Sequence, residues 1–191
     1  MNQDKFFQII DGIQQTSPGL KAYLNVALKS LATGKNTSLG TDHHQEFPLT
    51  FIEKGNLKTT LESKINPDHK LVRLHFQHEV IPPFIIEEND DFTLRTEAME
   101  DSVMIVIPKK HIYTLYQNFP EFHILKQKIA GLQLNELLHH VLELQVNEVA
   151  GRLENLLKWK PDIFQIAQIN DVARYLGTHP NNLSTIRNKK T

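Results

Sequence analysis

Between positions 181 and 190 stand Asn181, Asn182, Ser184, Thr185, Arg187, Asn188, Lys189 and Lys190, with no acid among them. Amide, hydroxyl and cationic donors in one short stretch suit the edges of bases and the phosphates beside them. Asn can bond bidentately to adenine, Thr can touch a thymine methyl, and Arg and Lys neutralise phosphate. Leu183 and Ile186, three residues apart, leave the opposite side of the same helix apolar. Upstream, DVARYLG reads as a short amphipathic helix with Val172, Ala173 and Leu176 on one face, closed by Gly177. Glycine accepts the left-handed backbone that a tight helix exit needs. Pro180 then opens a second helix as its first residue, with His179 at the cap position. Small Ala173 allows a close approach, Gly177 makes the turn, and Leu183 and Ile186 pin helix two across helix one, which is the helix-turn-helix pattern. An ordinary helical hairpin would have the same periodicity. The acid-free ridge of donors is what favours DNA.

Other chemistries find less support. Cysteine is absent, so there is no disulfide, no thiolate metal site and no Cys nucleophile. The ten histidines include His43-His44 in a presumed loop, His75 and His78 at a strand end, and His139-His140 on a helix. Neighbours on a helix point about 100° apart, so His139 and His140 cannot share a metal within one chain. No HExxH pattern occurs, and the acidic run EENDD lacks the glycine and terminal glutamate of a calcium loop. No Ser/His/Asp ordering, phosphate-cradling glycine loop or carboxylate pair stands out. The expectation is a non-enzyme with no catalytic residues, no metal and no cofactor.

At 191 residues, 40% hydrophobic and 23% charged, the chain has globular composition and room for one large domain or two small ones. A net charge of −1 gives no global basic field, so affinity for nucleic acid must come from a local patch. No apolar run reaches membrane-spanning length and MNQDKFF does not read as a signal peptide, which together suggest a cytoplasmic protein without membrane contact.

The elements that must position the ridge follow from periodicity. Residues 5 to 34 read as helices, with Phe6, Ile9, Ile10 and Ile13 first. Ser17 then caps a helix that begins at Pro18 and carries Leu20, Tyr23, Leu24, Ala27, Leu28 and Leu31 as far as Gly34. From Lys35 to Ile107 the period drops to two. Gly55 sits at the tip of a hairpin signal, Val72, Leu74 and Phe76 alternate with Arg73, His75 and Gln77, and FTLRTEAM and SVMIVI are joined by a turn. Pro82-Pro83 and EENDD break strands. Several strands without intervening helices imply an antiparallel sandwich or roll. After Pro108, Ile112, Leu115, Tyr116 and Phe119 share a helix face. A helix of about 25 residues follows, roughly 37 Å long. Its residues Phe122, Leu125, Ile129 and Leu132 step as a heptad seam whose register then slips toward Leu137, Val141 and Leu144, and a parallel two-helix dimer contact is expected there. Asn147 to Trp159 is a further helix.

This order resembles the Crp/Fnr superfamily of bacterial transcription regulators over most of the chain. FIEKGNLK is similar to the family's strand–Gly–strand element, and EAMEDSVMIVIPKKHIYTLYQNFPEF to its last roll strands and following helix. RLENLLKWKPDIFQ and VARYLGTHPNNLSTIRNKK resemble the branch that carries IASYLG and a Pro-x-x-L-S-x-I-R recognition helix. The resemblance implies an α+β chain: an antiparallel β-roll of cyclic-nucleotide-binding type (a double-stranded β-helix) with flanking helices over 1–119, a dimerisation helix over 120–146, and a helix-turn-helix domain over 147–191. It implies a homodimer on a near-palindromic double-stranded DNA site, with RNA polymerase and a small ligand inside the roll as further partners.

Two departures qualify that expectation. The family's phosphate cassette uses a Gly-Glu pair and an Arg; here VIPPFIIEENDDF has no Gly-Glu, and the position of the Arg holds Phe92 or Thr93. Acids crowded there repel a cyclic phosphate, and Arg95 in this strand register should not replace the missing cation, so response to cyclic AMP or GMP is not expected. In the recognition helix, Asn181 and Thr185 stand where many relatives carry Glu and Arg. The alternative reading is therefore a degenerate relative that senses a ligand or binds protein without reading DNA.

Overall fold

The computed structural model describes residues 3–39, 43, 46–66, 70–81 and 91–189. The expected strand breakers Pro82-Pro83 and most of EENDD, together with His44 and Lys190, lie outside the described residues.

Two helices lead, α1 (Gln3–Ile13) and α2 (Pro18–Ala27). Ser17 caps α2 as the sequence suggests, its Oγ accepting the Leu20 N–H at 3.1 Å, and it also donates to Glu121 Oε1 at 2.5 Å. Among the described residues eight strands follow: β1 (Lys29–Thr33), β2 (Ser38–Leu39), β3 (Leu49–Lys54), β4 (Leu57–Ser63), β5 (Lys70–His75), β6 (Val80–Ile81), β7 (Phe92–Ala98) and β8 (Ser102–Ile107). The helices α3 (Lys109–Asn118), α4 (Pro120–Val146), α5 (Val149–Trp159), α6 (Ile163–Ile166), α7 (Ile169–Tyr175) and α8 (Pro180–Lys189) complete the described chain.

The strands form two antiparallel sheets, ordered β1-β8-β3-β6 and β2-β7-β4-β5. The expected hairpin at Gly55 is instead a corner: β3 pairs with β6 and β8, while β4 pairs with β5 and β7. Gly55 has φ +89°, and a Cβ there would lie 2.2 Å from Ser102 Oγ, so only glycine lets the chain cross between sheets. The turn joining β7 to β8 crosses in the same way. A second difference concerns Lys29–Thr33, expected in a helix that ran to Gly34. Leu31 does fall at helix spacing, but α2 stops at Ala27 and residues 29–33 pair with Ser102–Val106 of β8. Ladder formation with a buried strand overrides the local period.

Register sorts the side chains into layers. Ile52, Ile81, Met104 and Val106 from the first sheet meet Leu57 from the second between the sheets. On the outer face of the first sheet, Leu49, Phe51, Ile105 and Ile107 are covered by α1, α2, α3 and the start of α4. Val72, Leu74 and Phe76 on the outer face of the second sheet are covered by α5 to α8. The chain is thus helices, sheet, sheet, helices, with α4 running from one helical layer to the other. Among the described residues no helix is long and apolar enough to cross a membrane.

Candidate nucleic-acid interface

The C-terminal unit is built around α7. Val172 and Ala173 are fully buried, Leu176 nearly so, and Leu183 of α8 is buried against them, with Ile186 packed on the same cluster. Gly177 adopts φ +63°. A Cβ there would stand 2.8 Å from Leu144 Cδ2 of α4, so the turn also rests against the long helix. His179 acts as the cap, its Nδ1 accepting the Asn181 N–H at 3.2 Å. Of the four residues expected to hold the two helices together, Ala173, Leu183 and Ile186 belong to one packed cluster, and Gly177 lies in the turn between the helices.

The opposite side of α8 is open. Asn181, Asn182, Thr185, Arg187, Asn188 and Lys189 are exposed and Ser184 is half-buried, while Lys190 lies outside the described residues. Several of these donors have partners within the chain. Asn182 Nδ2 donates to Thr178 Oγ1 at 2.8 Å, Ser184 Oγ to the Pro180 carbonyl at 3.0 Å, and Thr185 Oγ1 to the Asn181 carbonyl at 2.9 Å. The Arg187 guanidinium lies 4.7 Å from the Phe164 ring centroid, a cation–π contact that holds its stem while the residue stays exposed. Phe164 belongs to α6, a single turn that the sequence reading passed over between Pro161 and α7.

The unit is fastened to the roll at two places and to the long helix at a third. Lys58 of β4 reaches Asp171 of α7 at 2.7 Å and Glu97 of β7 at 3.6 Å. The Phe76 ring meets Trp159 edge-on at 4.8 Å. His140 of α4 stacks on Tyr175 of α7 at 4.5 Å. Burial lowers the His140 pKa, with Arg73 and Arg152 adding to the effect and Glu143 opposing it. Arg152 donates from Nη1 to the carbonyls of Leu144 and Asn147, at 3.0 and 2.6 Å, closing the C-terminal end of α4 with a cation. The sequence gives no sign of the Lys58–Asp171, Phe76–Trp159 and His140–Tyr175 contacts, because in each the partner is remote in the chain.

The expected dimer seam needs correction. Phe122, Leu125 and Ile129 are 0%, 1% and 6% exposed and belong to the core under α1 and the first sheet; of the four, only Leu132 is open. The apolar residues left uncovered lie further on: Leu134, Leu137, Leu138, Val141, Leu142 and Val146. Ile124, Gly131, Leu134, Leu138 and Val141 step by heptad intervals two residues out of phase with the buried row, about 200° around the helix. The long helix therefore has two apolar rows, and its own domain takes the first part of the one read from sequence, Phe122 to Ile129, while Leu132, Leu137 and Val141 stay open.

Inside the roll, Thr59 Oγ1 contacts His75 Nε2 at 2.9 Å and Thr96 Oγ1 at 3.0 Å. Arg73 pairs with Thr59 in register and bonds Glu136 of α4 at 2.7 Å. Arg95 pairs with Thr60, on the same outer side as Lys58 and Glu97, away from this interior.

No protein-family model and no curated protein sequence matches the chain. Solved structures do. A variant of CooA from Carboxydothermus hydrogenoformans is similar with a TM-score of 0.61 and 16% identity, over 88% of this chain and 78% of that one. A protein from Eubacterium rectale assigned to the Crp/Fnr family of transcriptional regulators gives 0.67 and 13%, over 89% and 81%. CLP, the c-di-GMP-responsive global regulator of Xanthomonas campestris, gives 0.60 and 14%, over 89% of each chain. At these identities the likeness establishes architecture, from roll through long helix to terminal helix pair: this chain has the fold of the Crp/Fnr transcription regulators.

Proposed function

We propose that the chain is a sequence-specific DNA-binding transcription regulator of Crp/Fnr type that acts as a homodimer. The observation that carries this reading is the exposed, acid-free ridge of α8, held over α7 by Leu183 and the Gly177 turn. In a complex Asn181 and Thr185 meet base edges, with Asn182, Ser184 and Asn188 beside them, and Arg187, Lys189 and Lys190 meet phosphates. A second copy along the open seam of α4 covers Leu134, Leu138 and Val141, and its own ridge then reads a half-site about one helical turn away. Selection from random duplexes tests this: an enriched near-palindrome is expected, weakened by Asn181→Ala at particular bases and by Arg187→Ala at all of them. Absence of any enriched sequence at low salt would remove the DNA reading.

The regulator is proposed not to respond to cyclic AMP or GMP, supported by the lack of a Gly-Glu pair, by Phe92 and Thr93 at the cation position and by the outward Arg95. Calorimetric titration with either nucleotide should show no saturable binding. The roll interior and RNA polymerase remain the places for a different ligand and a further partner. A second reading, an interaction module that no longer reads DNA, is favoured by the bonds that engage Asn182, Ser184 and Thr185 within the chain. In that case the same selection gives no sequence while the protein still dimerises.

A further inference from the structure

Between the outer face of the second sheet and the C-terminal unit lies a cavity of about 280 Å³. Lys35 in the turn between β1 and β2, Lys58 of β4, Glu97 of β7 and Met99 after β7 form the roll's side of it. Residues 164–169 and Asp171 of α7 form the other side. It lies outside the roll, because Lys58 pairs with Glu97 in register and alternates with the inward Leu57.

The cavity carries two charges of each sign. Lys58 Nζ stands 2.7 Å from Asp171 Oδ2 and 3.6 Å from Glu97 Oε1, so one ammonium serves two carboxylates. Among the described residues the second oxygen of each carboxylate has no other partner. Lys35 is exposed, its backbone N–H held by Asp101 Oδ1 at 2.9 Å, and its ammonium makes no ion pair among the described residues. Met99, Phe164 and Ile169 belong to one apolar cluster and give the cavity an apolar floor.

This combination selects a ligand class. A phosphate meets two carboxylates and is repelled, and a metal ion would have to displace the Lys58 ammonium from Asp171. The volume falls just under the range of about 300–1,000 Å³ found for ligand pockets, so the molecule is small. We propose that the cavity binds a free α-amino acid with an apolar side chain. The ammonium goes to Glu97 and Asp171, the carboxylate to Lys35, and the side chain to Met99 and Phe164. Each charge of the zwitterion then meets the opposite charge that the chain leaves short of a partner, in a site that partly excludes water.

Phe164 links the cavity to the recognition helix, since its ring also carries the Arg187 guanidinium at 4.7 Å from the centroid. An amino acid on that ring stands one side chain away from the ridge, and it holds the C-terminal unit against β4 and β7. This consequence rests on the DNA reading proposed above, whereas the binding does not.

Isothermal titration of the whole chain with L-leucine, L-methionine and L-phenylalanine tests the site. No DNA enters the assay, so its failure and that of the DNA reading are distinguishable. At least one amino acid should saturate with a dissociation constant of about 1 mM or tighter. The matching amine without the carboxylate (3-methylbutylamine for leucine) should bind at least about threefold more weakly. The matching acid without the ammonium (4-methylpentanoate for leucine) should lose about tenfold or more, because the carboxylates then repel it. Lys35→Ala, at an exposed position, should weaken the amino acid by about threefold or more and leave the amine unaffected. Glu97→Gln should weaken both. No saturation by any of the three at about 10 mM overturns the site. So does equal affinity for amine and amino acid, or unchanged amino-acid affinity in Lys35→Ala or in a folded Glu97→Gln.

Discussion

Lys58 Nζ lies 2.7 Å from Asp171 Oδ2 across 113 residues of sequence, with the two side chains only 13% and 8% exposed. The pair ties the second sheet to the first turn of α7, and Glu97 completes it from β7. Lys58→Met leaves the Asp171 carboxylate buried without its cation, which should destabilise the fold by about 3 kcal/mol. Changing both partners, Lys58→Met with Asp171→Asn, should recover part of that loss because no lone charge remains. Thermal unfolding of the two single variants and the double variant checks the coupling; additive losses would show that the pair contributes nothing of its own.

The two seams of α4 should separate by mutation. Leu138→Glu places a charge in the open row and should yield a monomer with little change in unfolding temperature, read by sedimentation. Phe122→Ala opens a cavity in the core instead and should cost about 3–5 kcal/mol whatever the oligomeric state. A dimer that survives Leu138→Glu would move the contact elsewhere on the surface.

His140 supplies a pH dependence of stability. Its folded-state pKa is lowered, chiefly by burial, so the unfolded chain takes up a proton first as the solution is acidified. The contribution is intact above the ordinary histidine value and is lost progressively as pH falls below it. Unfolding temperatures of the wild type should therefore drop relative to His140→Phe on going from pH 7 to pH 5. Parallel curves for the two proteins would rule out this residue as the cause.

Local patterns explain what could be read beforehand. Ala173, Gly177, Leu183 and Ile186 lie within fourteen positions of one another, so turn chemistry and helix spacing determine their contact without help from the rest of the chain. Gly55 shows where that logic stops: the turn was legible, but which sheet each arm joins depends on β8 and β5, far along the sequence. Leu31 misled because its spacing continues the α2 stripe, while its strand partner Met104 lies seventy-three positions later. Phe122, Leu125 and Ile129 were found as a seam, yet periodicity does not say which of two opposite faces a helix turns to its own core. The Lys58–Asp171 tie and the His140–Tyr175 stack have no sequence signal at all, being pairs between remote elements.

Gly177 joins the two levels of organisation and gives the sharpest mutational contrast. Its backbone is left-handed at φ +63°, so Gly177→Ala should cost about 1–2 kcal/mol from conformation alone. The new methyl would also approach Leu144 Cδ2 at 2.8 Å, which forces that flexible side chain to turn away from the junction with α4. Gly177→Asn, a residue that tolerates this region, should relieve part of the backbone cost while keeping the clash. Pairing each substitution with Leu144→Ala distinguishes the contributions: the clash disappears and the backbone cost remains. If Gly177→Ala is as stable as the wild type in thermal unfolding, the turn does not hold α7 and α8 in the way their packing requires, and the geometry proposed for the DNA-facing ridge loses its support.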